Sequence, residues 1–323
     1  MPVNPKLLRV LLLLGVAAWI AAPESASSAE DDPVQGAPNE VEITLKGAYR
    51  YIFSNGLPDH RRGAFPNRGN PNRVQAQPYR FRVPLKPQPA QQRTRLGHFP
   101  FGVALNGVPF DPGAAEWWRN DRRSGWQIEP LSGALNLGLD ASLAHVQPNG
   151  AYHYHGLGQG LLARRKPGAM TQVGWAADGY PIYLPWAQVT RAGGHTQSRE
   201  LRKVRPSCRL KAGQRPGGDE GPGGRYDGTY VQDYEFARGS GDLDEHNGLE
   251  CVTPEFPQGT YCYFLSETFP FVPRSFRGTP DPSFQQRGGA GRGGPPGARG
   301  PGGRRVPPPG WGPPPHHRGQ GPR

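Results

Sequence analysis

Three histidines fall close together in the segment HVQPNGAYHYH: His145, His153 and His155. Neutral imidazole nitrogens are ligands for Zn²⁺, Cu²⁺ and iron, and three of them leave a coordination position open for water. The chemistry requires that all three rings share one face, so the elements carrying them decide the matter. Pro148-Asn149-Gly150 suits a three-residue hairpin loop, with Pro at the first turn position and Gly at the left-handed position of a bulge. Counting back from that loop, Gln147 faces Ala151, Val146 faces Tyr152 and His145 faces His153.

Strand alternation puts His153 and His155 on one side and Tyr152 and Tyr154 on the other. Directly opposed cross-strand residues share a face, so His145 joins the two histidines. A two-residue Asn149-Gly150 turn would instead oppose His145 to Tyr154 and send it to the tyrosine side. Three imidazoles on one face are costly to bury without a ligand, and they repel one another if protonated. A cation that displaces the protons resolves both problems. The rival readings are a hydrogen-bonded cluster that fixes aromatic packing, and acid–base catalysis without metal.

The wider composition bounds the setting. The chain has 323 residues, a net charge of +12, 47 Gly and 39 Pro. Mean hydropathy is −0.69 and the pI is about 9.9. A polytopic membrane protein and a long helical bundle are excluded, because Gly and Pro stop helices. Lys6 and Arg9 precede the apolar run Val10–Ala22, which is too short to span a bilayer. Ser27-Ser28-Ala29 supplies small residues for cleavage, so residues 1–29 read as a signal peptide and the mature chain as secreted or periplasmic, without a transmembrane segment. Residues 278–323 are Gly, Pro and Arg with almost no aliphatic side chain, and read as a disordered tail. Most of the net charge sits there, so the tail could contact polyanions, while the folded part gives little reason to expect specific nucleic-acid binding.

Between 30 and 277 the expectation is one mainly β, loop-rich antiparallel domain. Candidate strands are 41–53, 79–85, 99–105, 151–155, 172–176, 180–184, 230–236 and 260–265. Asp178-Gly179 marks a hairpin turn. Two short helices are predicted, at 112–122 with Asp111 as N-cap and at 185–191. Residues 55–95, dense in Pro, Asn, Gln and Arg, read as a long wrapping loop.

A second segment resembles the histidine segment: Leu243-Asp244, Cys251-Val252-Thr253-Pro254, then Gln258-Gly259-Thr260-Tyr261-Cys262-Tyr263-Phe264. Matched to Leu139-Asp140 and His145–His155, it puts Cys251 at the place of His145 and Cys262 at that of His153. If those places oppose each other, an exported chain can bridge them, leaving Cys208 unpaired; a bridge from Cys208 to either of the others is the alternative. Asp140 could hold a ligating imidazole from behind, or act as a turn or cap residue. Asp178 and Asp244 are further carboxylates for that role or for a general base, and His246 could reach the cluster if the two hairpins are neighbours. The acidic loop around Asp242 and Asp244 could bind Ca²⁺, although Asn247 stands where an EF-hand needs Gly.

The run NLGLDASLAHVQPNGAYHYHG resembles the signature of the YHYH-domain family. SNGLPDH, FPNRGNPN, FGVALNGVPFDPGAAEWW, VGWAADGYPIY, YDGTYVQDYEF, TPEFPQGTYCYF and GTPDPSF resemble the same family, from about Val41 to Phe284. The resemblance implies a secreted or envelope-facing domain and assigns no activity. It also implies cysteines in many relatives where this chain has His246 and Ser275; Cys251–Cys262 would then replace a lost bridge. No GxSxG, P-loop, HExxH or dinucleotide fingerprint occurs. Three functions stay open: a metal-binding protein using His145, His153 and His155 with Zn or Cu favoured and Fe allowed; a metal-dependent hydrolase or oxidase at the same residues; and a non-catalytic extracellular binding or scaffold domain.

Overall fold

The computed structural model describes residues 36–190 and 199–285. The expected signal peptide and nearly all of the expected tail lie outside the described residues. Within them the chain is mainly β. The strands in chain order are β1 (Val41–Lys46), β2 (Tyr49–Ser54), β3 (Tyr79–Pro84), β4 (Thr94–Arg95), β5 (Gly102–Ala104), β6 (Pro109–Phe110), β7 (Ala144–Val146), β8 (Tyr152–Tyr154) and β9 (Gln172–Ala176). There follow β10 (Pro181–Tyr183), β11 (Trp186–Thr190), β12 (Arg199–Lys203), β13 (Cys208–Leu210), β14 (Tyr234–Phe236), β15 (Gly248–Cys251), β16 (Thr260–Phe264) and β17 (Ser275–Phe276).

The largest sheet has eight strands in the order β15-β16-β10-β9-β5-β6-β8-β7. Its joints are antiparallel except β6–β8 and β10–β16, which are parallel. Three of its hairpins turn in the same way. In each, a three-residue loop ends in a Gly at positive φ: Gly107 at 78°, Gly150 at 86° and Gly179 at 93°. Each glycine N–H donates to the residue before the loop: Ala104, Gln147 and Ala176, at 2.8, 2.8 and 2.9 Å. Only Gly adopts that backbone freely, which is why Asn-Gly or Asp-Gly marks all three turns. One face of the sheet carries buried aromatics, among them Phe101, Phe110, Tyr154 and Tyr263. Burying each such side chain is worth about 1.5–3 kcal/mol.

The sheet is an internal duplication. Strands β5 to β8 form one half; β9, β10, β15 and β16 form the other, in mirrored order. FGVALNGVPF in the first half corresponds to VGWAADGYPI in the second. Corresponding side chains make corresponding bonds. Asn106 donates to the Tyr154 hydroxyl at 3.0 Å, and the Tyr263 hydroxyl donates to Asp178 at 2.6 Å. Tyr152 donates to Asp140 at 2.7 Å, and Tyr261 to Asp244 at 2.9 Å.

Residues 55–78 hold no strand and lace the first half. Asn70 and Asn72 both donate to the Val146 carbonyl, at 2.9 and 2.8 Å, and Gln75 N–H donates to the Gly150 carbonyl at 2.9 Å. The wrapping loop therefore clamps the hairpin that carries the histidines. β1, β2 and β3 form a separate three-stranded sheet. Its inner face, with Ile52, Phe81 and Val83, is buried in the core.

Several expectations need correction. Segment 41–53 is a hairpin rather than one strand. The helix at 112–122 does not form; two short 3₁₀ turns, Trp118–Asn120 and Arg122–Ser124, stand in its place. Backbone bonds from Trp118 to Trp126 and from Ile128 to Glu116 pull that segment against 126–128. Asp111 accepts from Gly113 N–H at 3.3 Å without starting a helix. The helix at 185–191 is strand β11, paired with β12, as its Trp, Val and Thr content suits. The one α-helix among the described residues, Gln159–Leu162, is a single turn that the sequence reading missed. Packed structure continues past 277: Phe284 is buried and stacks on Phe81, and Asp281 pairs with Arg82.

Candidate metal centre

β7 and β8 pair antiparallel with His145 opposite His153 and Val146 opposite Tyr152. This is the register of the three-residue loop, and it puts His145, His153 and His155 on one face. The three ring centroids form a triangle with every side 4.7 Å. Their ligating atoms all lie within 4.8 Å of one another. Nε2 of His153 is 3.0 Å from Nε2 of His155. Two nitrogens bound tetrahedrally to one ion at 2.0–2.1 Å would be about 3.3 Å apart, so the pair already has nearly that separation.

The far side of two rings is fixed by backbone carbonyls. His145 Nδ1 lies 2.9 Å from the Leu137 carbonyl and His153 Nδ1 lies 3.2 Å from that of Ala151. A carbonyl accepts only, so Nδ1 carries the proton in both rings and Nε2 presents its lone pair inward. His155 Nδ1 is buried and has no hydrogen-bond partner. His153 and His155 are buried and His145 is half-buried, so the cluster is reached from the His145 side.

Burial drives the histidines toward the neutral form. His153 falls to about 4. His145 also falls to about 4, through burial and then the charge of His153. His155 lies well below the ordinary value through burial, with His153, His145 and Arg274 adding to it. Unprotonated imidazole is the form that binds a cation.

The residues expected behind the ligands are elsewhere. Asp140 lies on the tyrosine face, where it accepts from Tyr152, from Gly63 N–H at 3.0 Å and from Ser142 N–H at 2.8 Å. Asp178 accepts from Tyr263 and from Gly278 N–H at 2.8 Å; burial raises it to about 6. Asp244 accepts from Tyr261, His246 N–H and Gly248 N–H. β7 and β15 are opposite edges of the sheet, so His246, beside β15, cannot reach the cluster. It bonds to the Ser275 hydroxyl at 2.9 Å, which places in contact the two positions where the resemblance implies cysteines. In the acidic loop, Asp242 is taken by Arg202 and by Arg205 N–H.

The carboxylates that do accompany the cluster were not singled out for it by the sequence. Asp111 accepts from Gln147, the residue closing the histidine hairpin, at 3.1 Å. Both Asp111 and Glu116 act electrostatically on His145. Buried Glu129 pairs with Arg274 at 2.6 Å. Burial pushes Asp111 and Glu129 above the usual carboxylate range, against the pull of Arg274 on each. These residues come from loops distant in sequence, and the one local signal was Asp111 directly after β6.

The YHYH protein family model matches residues 80–278. The chain belongs to the YHYH family. That match spans more than half of the chain and includes both hairpins of the duplication, while SNGLPDH and FPNRGNPN precede it. No curated protein and no solved structure matches the chain.

The duplication within the YHYH domain supplies an internal control. Asp140 N–H donates to Ala144 O, and Asp244 N–H donates to Gly248 O; His155 N–H donates to Leu143 O, and Phe264 N–H donates to Asn247 O. Leu143 and Asn247 have positive φ, 52° and 61°. This correspondence puts Leu249, Cys262 and Phe264 at the places of His145, His153 and His155. Leu249 indeed opposes Cys262, as His145 opposes His153. The sequence match of Cys251 with His145 was two residues out of step, misled by the shared x-Val-x-Pro. Cys251 opposes Thr260 and sits diagonal to Cys262; all three cysteines are free, so the expected Cys251–Cys262 bridge is not formed.

Proposed function

We propose that His145, His153 and His155 hold one transition-metal ion and that this exported YHYH domain is a metal-binding protein. The observation that carries the reading is the triangle of imidazoles, with Nε2 of His153 and Nε2 of His155 3.0 Å apart and Nδ1 of His155 without a partner. The second half of the sheet strengthens it. There the same framework closes over Leu249, Cys262 and Phe264, so the fold needs no imidazole at these places. An all-nitrogen donor set favours Zn²⁺ or Cu²⁺, with iron as the third candidate. Export through residues 1–29 belongs to the same proposal, since it sets the compartment in which the ion is met.

A metal-dependent hydrolase or oxidase at this centre is the second reading. Its support is the half-exposed approach beside His145, with the Asp111 carboxylate nearby as a proton acceptor.

Thermal denaturation with added Zn²⁺ or Cu²⁺ tests the binding reading. Native protein should gain stability as the ion is titrated, by about 2.7 kcal/mol at a hundredfold excess over Kd. A His153→Ala/His155→Ala variant that remains folded should gain nothing. An equal gain in both proteins would refute the site, and no gain in native protein would leave the scaffold reading.

A further inference from the structure

We propose that strand β1 is a homodimer seam, at which two copies of this chain join their three-stranded sheets edge to edge. This goes beyond the metal-binding reading and does not rest on it.

β1 is an edge: among the described residues its only strand neighbour is β2. The Asn55 N–H donates to the Glu40 carbonyl, and the register continues as Glu42↔Phe53, Thr44↔Tyr51 and Lys46↔Tyr49. In an antiparallel pair every second residue exchanges its backbone bonds with the neighbour. The even residues of β1 therefore bond to β2, while Val41, Ile43 and Leu45 point their N–H and C=O groups outward. The same three side chains extend the buried face of Ile52, Phe81 and Val83 beyond the edge of the sheet. Val41 is 37%, Ile43 40% and Leu45 65% exposed, and they are three of the five large apolar side chains found exposed among the described residues.

Edge strands are normally blunted by a charge facing inward, a Pro, a bulge or a covering loop. β1 has no Pro and no bulge, and its charges, Glu42 and Lys46, lie on the outer face. Their spacing specifies the occupant. When a second β1 is laid antiparallel with the twofold axis at Thr44, Ile43 meets Leu45 of the second copy and exchanges backbone bonds with it. Glu42 then meets Lys46 of the second copy, and both relations occur twice. Neither Glu42 nor Lys46 takes part in an ion pair among the described residues. Centring the axis one residue earlier would oppose Glu42 to Thr44 and break both matches. The strand is thus self-complementary in one register, as a twofold interface must be.

Sedimentation equilibrium of the purified exported chain tests the proposal. The native protein should be a dimer at about 100 µM. Lys46→Glu sets Glu against Glu twice and should weaken dimerisation about 10-fold. Glu42→Lys/Lys46→Glu restores opposite charges and should return the native affinity. Both positions are exposed, and circular dichroism should show the fold unchanged. A native protein that stays monomeric at that concentration would overturn the proposal. So would a dimer that Lys46→Glu leaves as tight, since the contact would then lie elsewhere.

Discussion

Nε2 of His153 faces Nε2 of His155 across 3.0 Å, inside a buried face where neither ring can readily take a second proton. This relationship makes stability depend on pH with a definite sign. The unfolded chain protonates these imidazoles near 6.5, whereas folded His145 and His153 resist until about 4. Between those values the unfolded state binds more protons, so stability present above pH 6.5 is lost as pH falls toward 4. For buried His153 this amounts to about 3 kcal/mol. Asp178, raised from 3.8 to about 6, works the other way: folded protein takes up its proton first, so this group favours the fold as pH falls. The two effects are of similar size, and His145 and His155 tip the balance. Urea midpoints for metal-free protein should fall between pH 6.5 and 4, and Asp178→Asn should steepen the fall.

The hairpin loop sets the position of His145. Gly150 has a φ of 86°, and a Cβ there would sit 2.5 Å from Cβ of Gln75 in the wrapping loop. Gly150→Ala should cost about 1–3 kcal/mol through backbone strain and that clash. Because it disturbs the His145–His153 register, it should also weaken metal affinity, measured by competition with a chromophoric chelator.

The tyrosine face should be separable from the histidine face. Tyr152→Phe removes the 2.7 Å bond to Asp140 while Gly63 N–H still donates to the same oxygen. The expected loss is about 1 kcal/mol in chemical denaturation, with metal stoichiometry unchanged. Tyr261→Phe should behave alike, since Tyr261 makes the equivalent bond to Asp244.

The three cysteines should react as free thiols. Burial raises Cys208 to about 11 and pushes Cys262 up further. Native protein should react slowly with a disulfide reagent at pH 8, and protein unfolded in denaturant should release three equivalents, one for each free cysteine. One equivalent from unreduced protein would show that a bridge forms.

The histidine face was legible because strand alternation and one loop length determine it. Pro148-Asn149-Gly150 carries that loop length in its residue types. The central strands were legible for the same reason: short apolar runs bounded by Gly, Pro and Asp. What surrounds the cluster was hidden, because Asp111, Glu116, Glu129 and Arg274 arrive from separate loops by tertiary packing. The carboxylates that could be read nearby, Asp140 and Asp244, belong to the tyrosines. Helix signals failed at Asp111-Pro112, where a good N-cap was overridden by bonds between 116–118 and 126–128. The repeat was visible but misaligned: the bonds around Asp140 and Asp244 set its register, and the x-Val-x-Pro likeness does not.

Elemental analysis of the full-length protein, produced in its native host and purified without chelator, bears most directly on the three-imidazole centre. One equivalent of zinc, copper or iron per chain is predicted, falling to near zero in His153→Ala/His155→Ala and unchanged in Tyr152→Phe. Metal-free native protein that also gains no stability from added Zn²⁺ or Cu²⁺ would contradict the account, as would a full equivalent retained in the double variant.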